Sequence, residues 1–109
     1  MDELEQQTEP LTSFDVAIDA AGTATIKIGG ELDISTVDDL AAHVASALAV
    51  DPPRLIVDVS ELRFADSSAI ALWVRWAATV ERFELRDPPA LLRRVITAMG
   101  LTEKLAIRP

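Results

Sequence analysis

Over residues 14–18 every second position is apolar (Phe14, Val16, Ile18), and after Ala20, Ala21 and Gly22 the alternation resumes at Ala24, Ile26 and Ile28. A period of two on both sides of a short turn predicts a hairpin, ended by Gly29 and Gly30. The period then changes. Val37, Leu40, Ala41, Val44 and Leu48 recur at helical spacing, Ser35 with Asp38 three positions on resembles a capping box, and Asp51-Pro52-Pro53 stops the helix. Residues 54–59 form a short apolar, β-branched run between breakers, as suits a buried central strand. A second helical face follows at Ile70, Trp73, Val74 and Ala77. Residues 82–86 alternate as an edge-like strand with charges on one face, and Asp87-Pro88-Pro89 offers a helix start. Leu91, Leu92, Val95 and Ile96 supply a third apolar helical face, closed by the stop signal Gly100-Leu101. A short helix is expected around Lys104 and Leu105.

The predicted order is β-β-α-β-α-β-α plus a short C-terminal helix. Strands that alternate with helices require crossovers, so the fold class is α/β, a mixed four-stranded sheet with helices chiefly on one side. The chain has 109 residues, room for one domain, and half of them are hydrophobic, enough for one core. Residues 1–12 read as a flexible acidic tail and 13–109 as the folded domain.

Charge and composition narrow the function. A net charge of -8, with no run of Lys or Arg, opposes nucleic acid and anionic membrane as partners. There is no cysteine, which excludes thiolate catalysis and sulfur-ligated zinc, and one histidine, His43, reads as a surface residue of the first helix. No cofactor or metal site is expected. The opening residues lack the basic start and apolar run of a signal peptide, and no stretch approaches the ~20 apolar residues of a membrane span, so a cytoplasmic protein is expected.

The chemistry concentrates at Asp66-Ser67-Ser68, between the third strand and the helical pattern that starts at Ile70. A helix N-terminus offers free N–H groups and the positive end of the dipole, so a hydroxyl there is either a cap or a site that welcomes a phosphate. Locally, Ser67 reads as an N-cap. Asp33 and Asp66 could act as a carboxylate pair, but no histidine, lysine or tyrosine accompanies them and no glycine-rich phosphate loop is present; recognition, or simple capping of the helix and of a turn, are the competing roles. Trp73 belongs with the core stripe. Leu72 and Trp76 lie on its flank and would make an apolar anchor if uncovered, whereas a neighbouring helix could equally cover them. Ser68 and Arg75 share the more exposed face, and Arg93 and Arg94 read as a solvated helix face.

Four segments in order resemble the STAS domain family, in particular its stand-alone bacterial anti-sigma factor antagonists: Gly30-Glu31-Leu32-Asp33, Leu55-Ile56-Val57-Asp58-Val59-Ser60, Phe64-Ala65-Asp66-Ser67-Ser68, and Arg93-Arg94-Val95 through Gly100-Leu101. The resemblance covers residues 14–105. It implies a non-enzymatic regulator of transcription that works by partner switching. Such a protein binds an anti-sigma factor that is also a serine kinase, is released when that kinase phosphorylates it, and is restored by a phosphoserine phosphatase. The acceptor would be Ser67, with Ser68 the minor candidate, and Glu31, Asp33, Asp66, Ser68, Ala69, Leu72 and Trp76 would meet the partner. A monomer or weak dimer is expected. The family usually has glycine where this chain has Ala69, a better helix former, which stiffens the turn or starts the helix earlier. An alternative on the same fold is a STAS subunit that docks on a transporter ATPase through the helix after Ser68, with no phosphorylation switch.

Overall fold

The computed structural model describes residues 12–109. The elements are β1 (Thr12–Ile18), β2 (Ala24–Leu32), α1 (Val37–Ala49), β3 (Arg54–Ala65), α2 (Ser67–Thr79), β4 (Arg82–Arg86), α3 (Ala90–Ala98) and β5 (Ile107–Arg108). They form one mixed sheet in the order β1-β2-β3-β4-β5, with β1 antiparallel to β2 and each later neighbour parallel. Apart from Thr12, already part of β1, the expected acidic tail lies outside the described residues.

Alternation in the strands separates the two faces of the sheet. Ala24, Ile26 and Ile28 of β2, Leu55, Val57 and Val59 of β3 and Leu85 of β4 pack with Leu40 and Val44 of α1, Ile70 and Trp73 of α2, and Leu92 and Ile96 of α3 in one buried cluster. The helices therefore share one face, as the sequence predicts. On the other face Lys27 pairs with Glu61 at 3.4 Å, and Glu84 accepts from Arg54 Nη2 and Arg86 Nε at 2.7 Å each. Glu84 is buried, not solvated as edge-strand alternation suggests. Burial alone would raise its pKa, but the hydrogen bonds and charges of Arg86 and Arg54 outweigh that and hold it below the usual value.

Several boundaries differ from the expected ones. β3 runs on past Val59 to Ala65 because two irregularities in its register with β2 let Glu31 and Leu32 pair with Phe64 and Ala65. Gly30, at φ +84, supplies the left-handed backbone beside the second irregularity, where a side chain would be strained. α2 starts at Ser67, ahead of Ile70, in line with alanine at 69. Thr36, not Ser35, stands at the N-cap of α1 and makes no side-chain cap bond, so the Ser35–Asp38 box does not form; Asp38 and Asp39 still complement the helix dipole. Asp87 is not a cap either: Pro89 stands at the N-cap of α3 and no side chain caps that helix, while the Asp87 N–H donates to the Arg108 carbonyl at 2.6 Å.

At the C-terminus of α3 the Leu101 N–H reaches the Ile96 carbonyl at 3.1 Å and the Gly100 N–H reaches Thr97 at 3.0 Å, the paired bonds of a Schellman motif. The expected helix around Lys104 is instead a run of turns anchored by fully buried Leu105, and the chain emerges as β5, a fifth strand against β4. His43 is exposed on α1, its ring 5.7 Å from that of Phe14.

Candidate functional site at the β2 and β3 strand ends

β2 and β3 are parallel, so the loops that leave their C-terminal ends emerge side by side. The Asp66 N–H donates to the Leu32 carbonyl at 3.2 Å, and the Ile34 N–H donates to Asp66 Oδ2 at 3.1 Å. The other carboxylate oxygen, Oδ1, accepts from the Ser68 N–H at 3.0 Å, the Ala69 N–H at 3.4 Å and the Ser68 hydroxyl. Asp66 is thus the cap of α2 and also the tie between the two loops. The Ser68 hydroxyl is the largest of the contacts that pull its pKa below the usual carboxylate value, followed by the backbone N–H groups, with burial opposing them.

Asp33 organises the other loop. Its Oδ1 accepts from the Ser35 hydroxyl at 2.6 Å, the Ser35 N–H at 2.9 Å and the Thr36 hydroxyl at 3.3 Å. Its carbonyl accepts from the N–H groups of Thr36 and Val37, which starts α1. The Ser35 hydroxyl leads in lowering its pKa, while the Asp66 charge works the other way. Both carboxylates are held ionised as acceptors, a poor arrangement for a general acid.

The two serines are not equivalent. Ser68 is half-buried and spends its hydroxyl on Asp66, whereas Ser67, the first residue of α2, is exposed and its hydroxyl makes no hydrogen bond to any described residue. The first-turn amides are also less free than a bare helix end implies. Asp66 takes Ser68 N–H and Ala69 N–H with its side chain, and its carbonyl takes Ile70 N–H at 3.3 Å. An added anion at Ser67 would gain from the dipole and lose against the Asp66 charge.

Of the residues expected to meet a partner, Asp33, Asp66 and Ser68 gather here with Ser67, and Glu31 follows in the same strand end, in register with Phe64. Ala69, Leu72 and Trp76 do not join them. Their exposures are 0%, 3% and 7%, because α2 turns this flank into the core beside α1, so the anchor expected of Leu72 and Trp76 is not formed. The exposed apolar side chains are others: Ile34 at 73% and Phe64 at 52%. Ile34, an apolar residue between Asp33 and Ser35 in a polar loop, was visible as an anomaly of pattern. Among the described residues no cluster of His, Cys, Asp or Glu is placed to hold a metal, and no helix is long and apolar enough to cross a membrane.

The sequence profile described as Mlab, STAS domain matches residues 6–108, and the chain belongs to the STAS domain family. It is 32% identical over 89 residues to the anti-sigma-F factor antagonist RsfB of Mycobacterium tuberculosis, an alignment that spans 76% of this chain and 70% of RsfB. Among solved structures it is similar to an anti-sigma factor antagonist from Mycobacterium paratuberculosis, with TM-score 0.81 and 23% identity over 90% of this chain and 86% of that one. It is also similar to the anti-sigma factor antagonist SpoIIAA in its unphosphorylated form, with TM-score 0.75 and 24% identity over 89% of each chain. The phosphorylated form of the Bacillus cell fate determinant SpoIIAA gives TM-score 0.69 and 24% identity over 89% of this chain and 92% of that one. At these identities the structural likeness concerns the fold.

Proposed function

We propose that this chain is an anti-sigma factor antagonist that binds its anti-sigma factor when Ser67 is unmodified and is released when Ser67 is phosphorylated. The observation that carries the reading is the contrast within one turn of helix: Ser67 offers an exposed, uncommitted hydroxyl, while Ser68 is tied to Asp66. The similarity to RsfB and to SpoIIAA, whose structures are described in both phosphorylation states, supports it.

The physical sequence of events is short. The anti-sigma factor, acting as a serine kinase with ATP, transfers a phosphoryl group to Ser67 Oγ. The phosphate brings about -1.5 to -2 charge beside Asp66 and Asp33. The chain keeps its fold, because Asp66 still caps α2, but a partner docked over the paired loops now buries three like charges. A phosphoserine phosphatase restores the hydroxyl. On this reading the chain catalyses nothing itself, works in the cytoplasm and acts as a monomer or weak dimer. The docking alternative, in which α2 wedges against a transporter ATPase, draws less support because Leu72 and Trp76 are buried and leave α2 no large apolar anchor.

The test is incubation with candidate anti-sigma kinases and ATP, followed by mass spectrometry. One phosphate is expected, at Ser67, lost in Ser67→Ala and kept in Ser68→Ala. Label at another residue, or none from a kinase that binds the chain, would overturn the switch.

A further inference from the structure

Ile34 is the most exposed large apolar side chain among the described residues, and it stands in a loop whose donors are already engaged. All five N–H groups from Asp33 to Val37 have acceptors inside the molecule. The Thr36 hydroxyl takes that of Asp33, the Asp66 carboxylate that of Ile34, the Asp33 carboxylate that of Ser35, and the Asp33 carbonyl those of Thr36 and Val37. The Ser35 and Thr36 hydroxyls also donate to Asp33. Exposure alone means little, since single apolar side chains are common on surfaces. What sets Ile34 apart is that its backbone is held on every side, so no loop has to be ordered when a partner covers it.

The same bonds put Ile34 beside the acceptor serine. Its N–H is held by Asp66, the residue before Ser67, at the ends of adjacent parallel strands, and both Ile34 and Ser67 are exposed there. A specific interface covers about 800 Å² of each partner, a patch about 30 Å across. One centred on Ser67 therefore takes in Ile34. A kinase that brings ATP to Ser67 Oγ must also close over its surroundings, because water that reaches the nucleotide would take the phosphoryl group instead. A second copy of the chain fits this surface less well. Symmetric pairing about Ile34 would set Asp33, Asp66 and the acidic first turn of α1, Asp38 and Asp39, against their own copies. Residues 28–53 contain no Lys or Arg to separate them, Arg63 lies on the α3 side of β3, and Arg75 is further along α2.

On the reading of Ser67 as the kinase's acceptor, we propose that Ile34 is the apolar anchor of the anti-sigma factor contact: its side chain enters an aliphatic pocket on the partner, next to the cleft that receives Ser67. It takes the part that buried Leu72 and Trp76 leave open. The test is calorimetry of the unphosphorylated full chain, without ATP, against an anti-sigma factor that phosphorylates Ser67. Ile34→Ala should weaken binding about tenfold and Ile34→Asp further, while Ile34→Val should stay within about threefold of the parent. These changes keep the backbone N–H and its bond to Asp66. Ile18→Ala, also an exposed apolar position but at the opposite end of the sheet, where Ala24 pairs with Leu55, should bind like the parent. With ATP present, KM for phosphorylation of Ile34→Ala should rise about tenfold with kcat unchanged, as loss of binding alone requires. A loss below about threefold in Ile34→Ala, with a partner that does phosphorylate Ser67, would overturn the anchor and leave the switch standing. Phosphorylation of Ser67 by no anti-sigma kinase would overturn the switch and the anchor with it. A parent dimer that Ile34→Ala disperses would assign Ile34 to a second copy and overturn the anchor alone.

Discussion

The backbone N–H of Ile34 donates to the carboxylate of Asp66, a bond at 3.1 Å across thirty-two residues of sequence that fastens the β2–α1 loop to the first turn of α2. The other Asp66 oxygen caps that turn. Removing the side chain therefore frees the first-turn amide of Ser68 and the loop amide of Ile34 together, while the Ala69 N–H keeps its 3.1 Å bond to the Asp66 carbonyl. Asp66→Ala should lower stability by about 1–2 kcal/mol in urea denaturation, the range of a lost N-cap, and should shift the Ile34 amide resonance. Asp66→Asn, which keeps an acceptor oxygen, should recover part of the loss. An alanine variant as stable as the parent would show that the cap and tie carry no weight.

Protonation tests the same contact without mutation. The folded-state pKa of Asp66 lies below its ordinary value, led by the Ser68 hydroxyl, and that of Asp33 does too, led by the Ser35 hydroxyl. A carboxylate with a depressed folded pKa contributes stability that is fully present above its unfolded pKa of about 4 and is lost as pH falls through the folded value. Denaturation midpoints should thus be flat from neutral pH down to about 5 with respect to these groups and decline below about 4. In Asp66→Asn the decline should be shallower, starting from a lower plateau. An unchanged acid slope would show that Asp66 titrates as it does in the unfolded chain.

The two serines should separate in stability and in binding. Ser67→Ala removes an exposed hydroxyl that bonds to no described residue and should change stability by less than about 0.5 kcal/mol. Ser68→Ala removes a donor to Asp66 and should cost about 1 kcal/mol. Ser67→Asp should leave the melting temperature within a few degrees yet weaken binding to the cognate anti-sigma factor by about tenfold or more, a difference of 1.4 kcal/mol by calorimetry. Equal affinities of Ser67→Asp and the parent would remove the electrostatic basis of release.

What could be read from the chain follows from which interactions are local. The hairpin, the three helices and the stop at Gly100 were legible because each is written in a period or a cap within a few residues. The length of β3 was not, since it depends on register irregularities around Gly29 and Gly30 that exist only once β2 lies beside it. Asp66, not Ser67, proved to be the cap; adjacent residues can each cap a helix, and here the Asp66 carboxylate also takes the Ile34 N–H from another loop. Helical spacing likewise placed Leu72 and Trp76 on a flank without telling that α1 would lie against α2, and placed Leu91 in a core that ends one residue short of it. β5 is two residues long, too short to leave any periodic trace.

Glu84 tests the uncovered face of the sheet. Its side chain is 9% exposed and bridges Arg54 and Arg86, whose side chains are 38% and 41% exposed. Removing one partner of a fully buried pair strands a charge and costs about 3–5 kcal/mol, but these arginines can turn to water, so screening reduces the loss. Glu84→Ala should therefore cost only about 1–2 kcal/mol in urea denaturation. Glu84→Met, which fills similar space beside its register partner Ile56 and removes the desolvated charge, should lie within about 1 kcal/mol of the parent. A loss above about 3 kcal/mol in the methionine variant would mean that the carboxylate is required to hold the two arginines over the sheet, and that the open face depends on charge, not on packing, for its order.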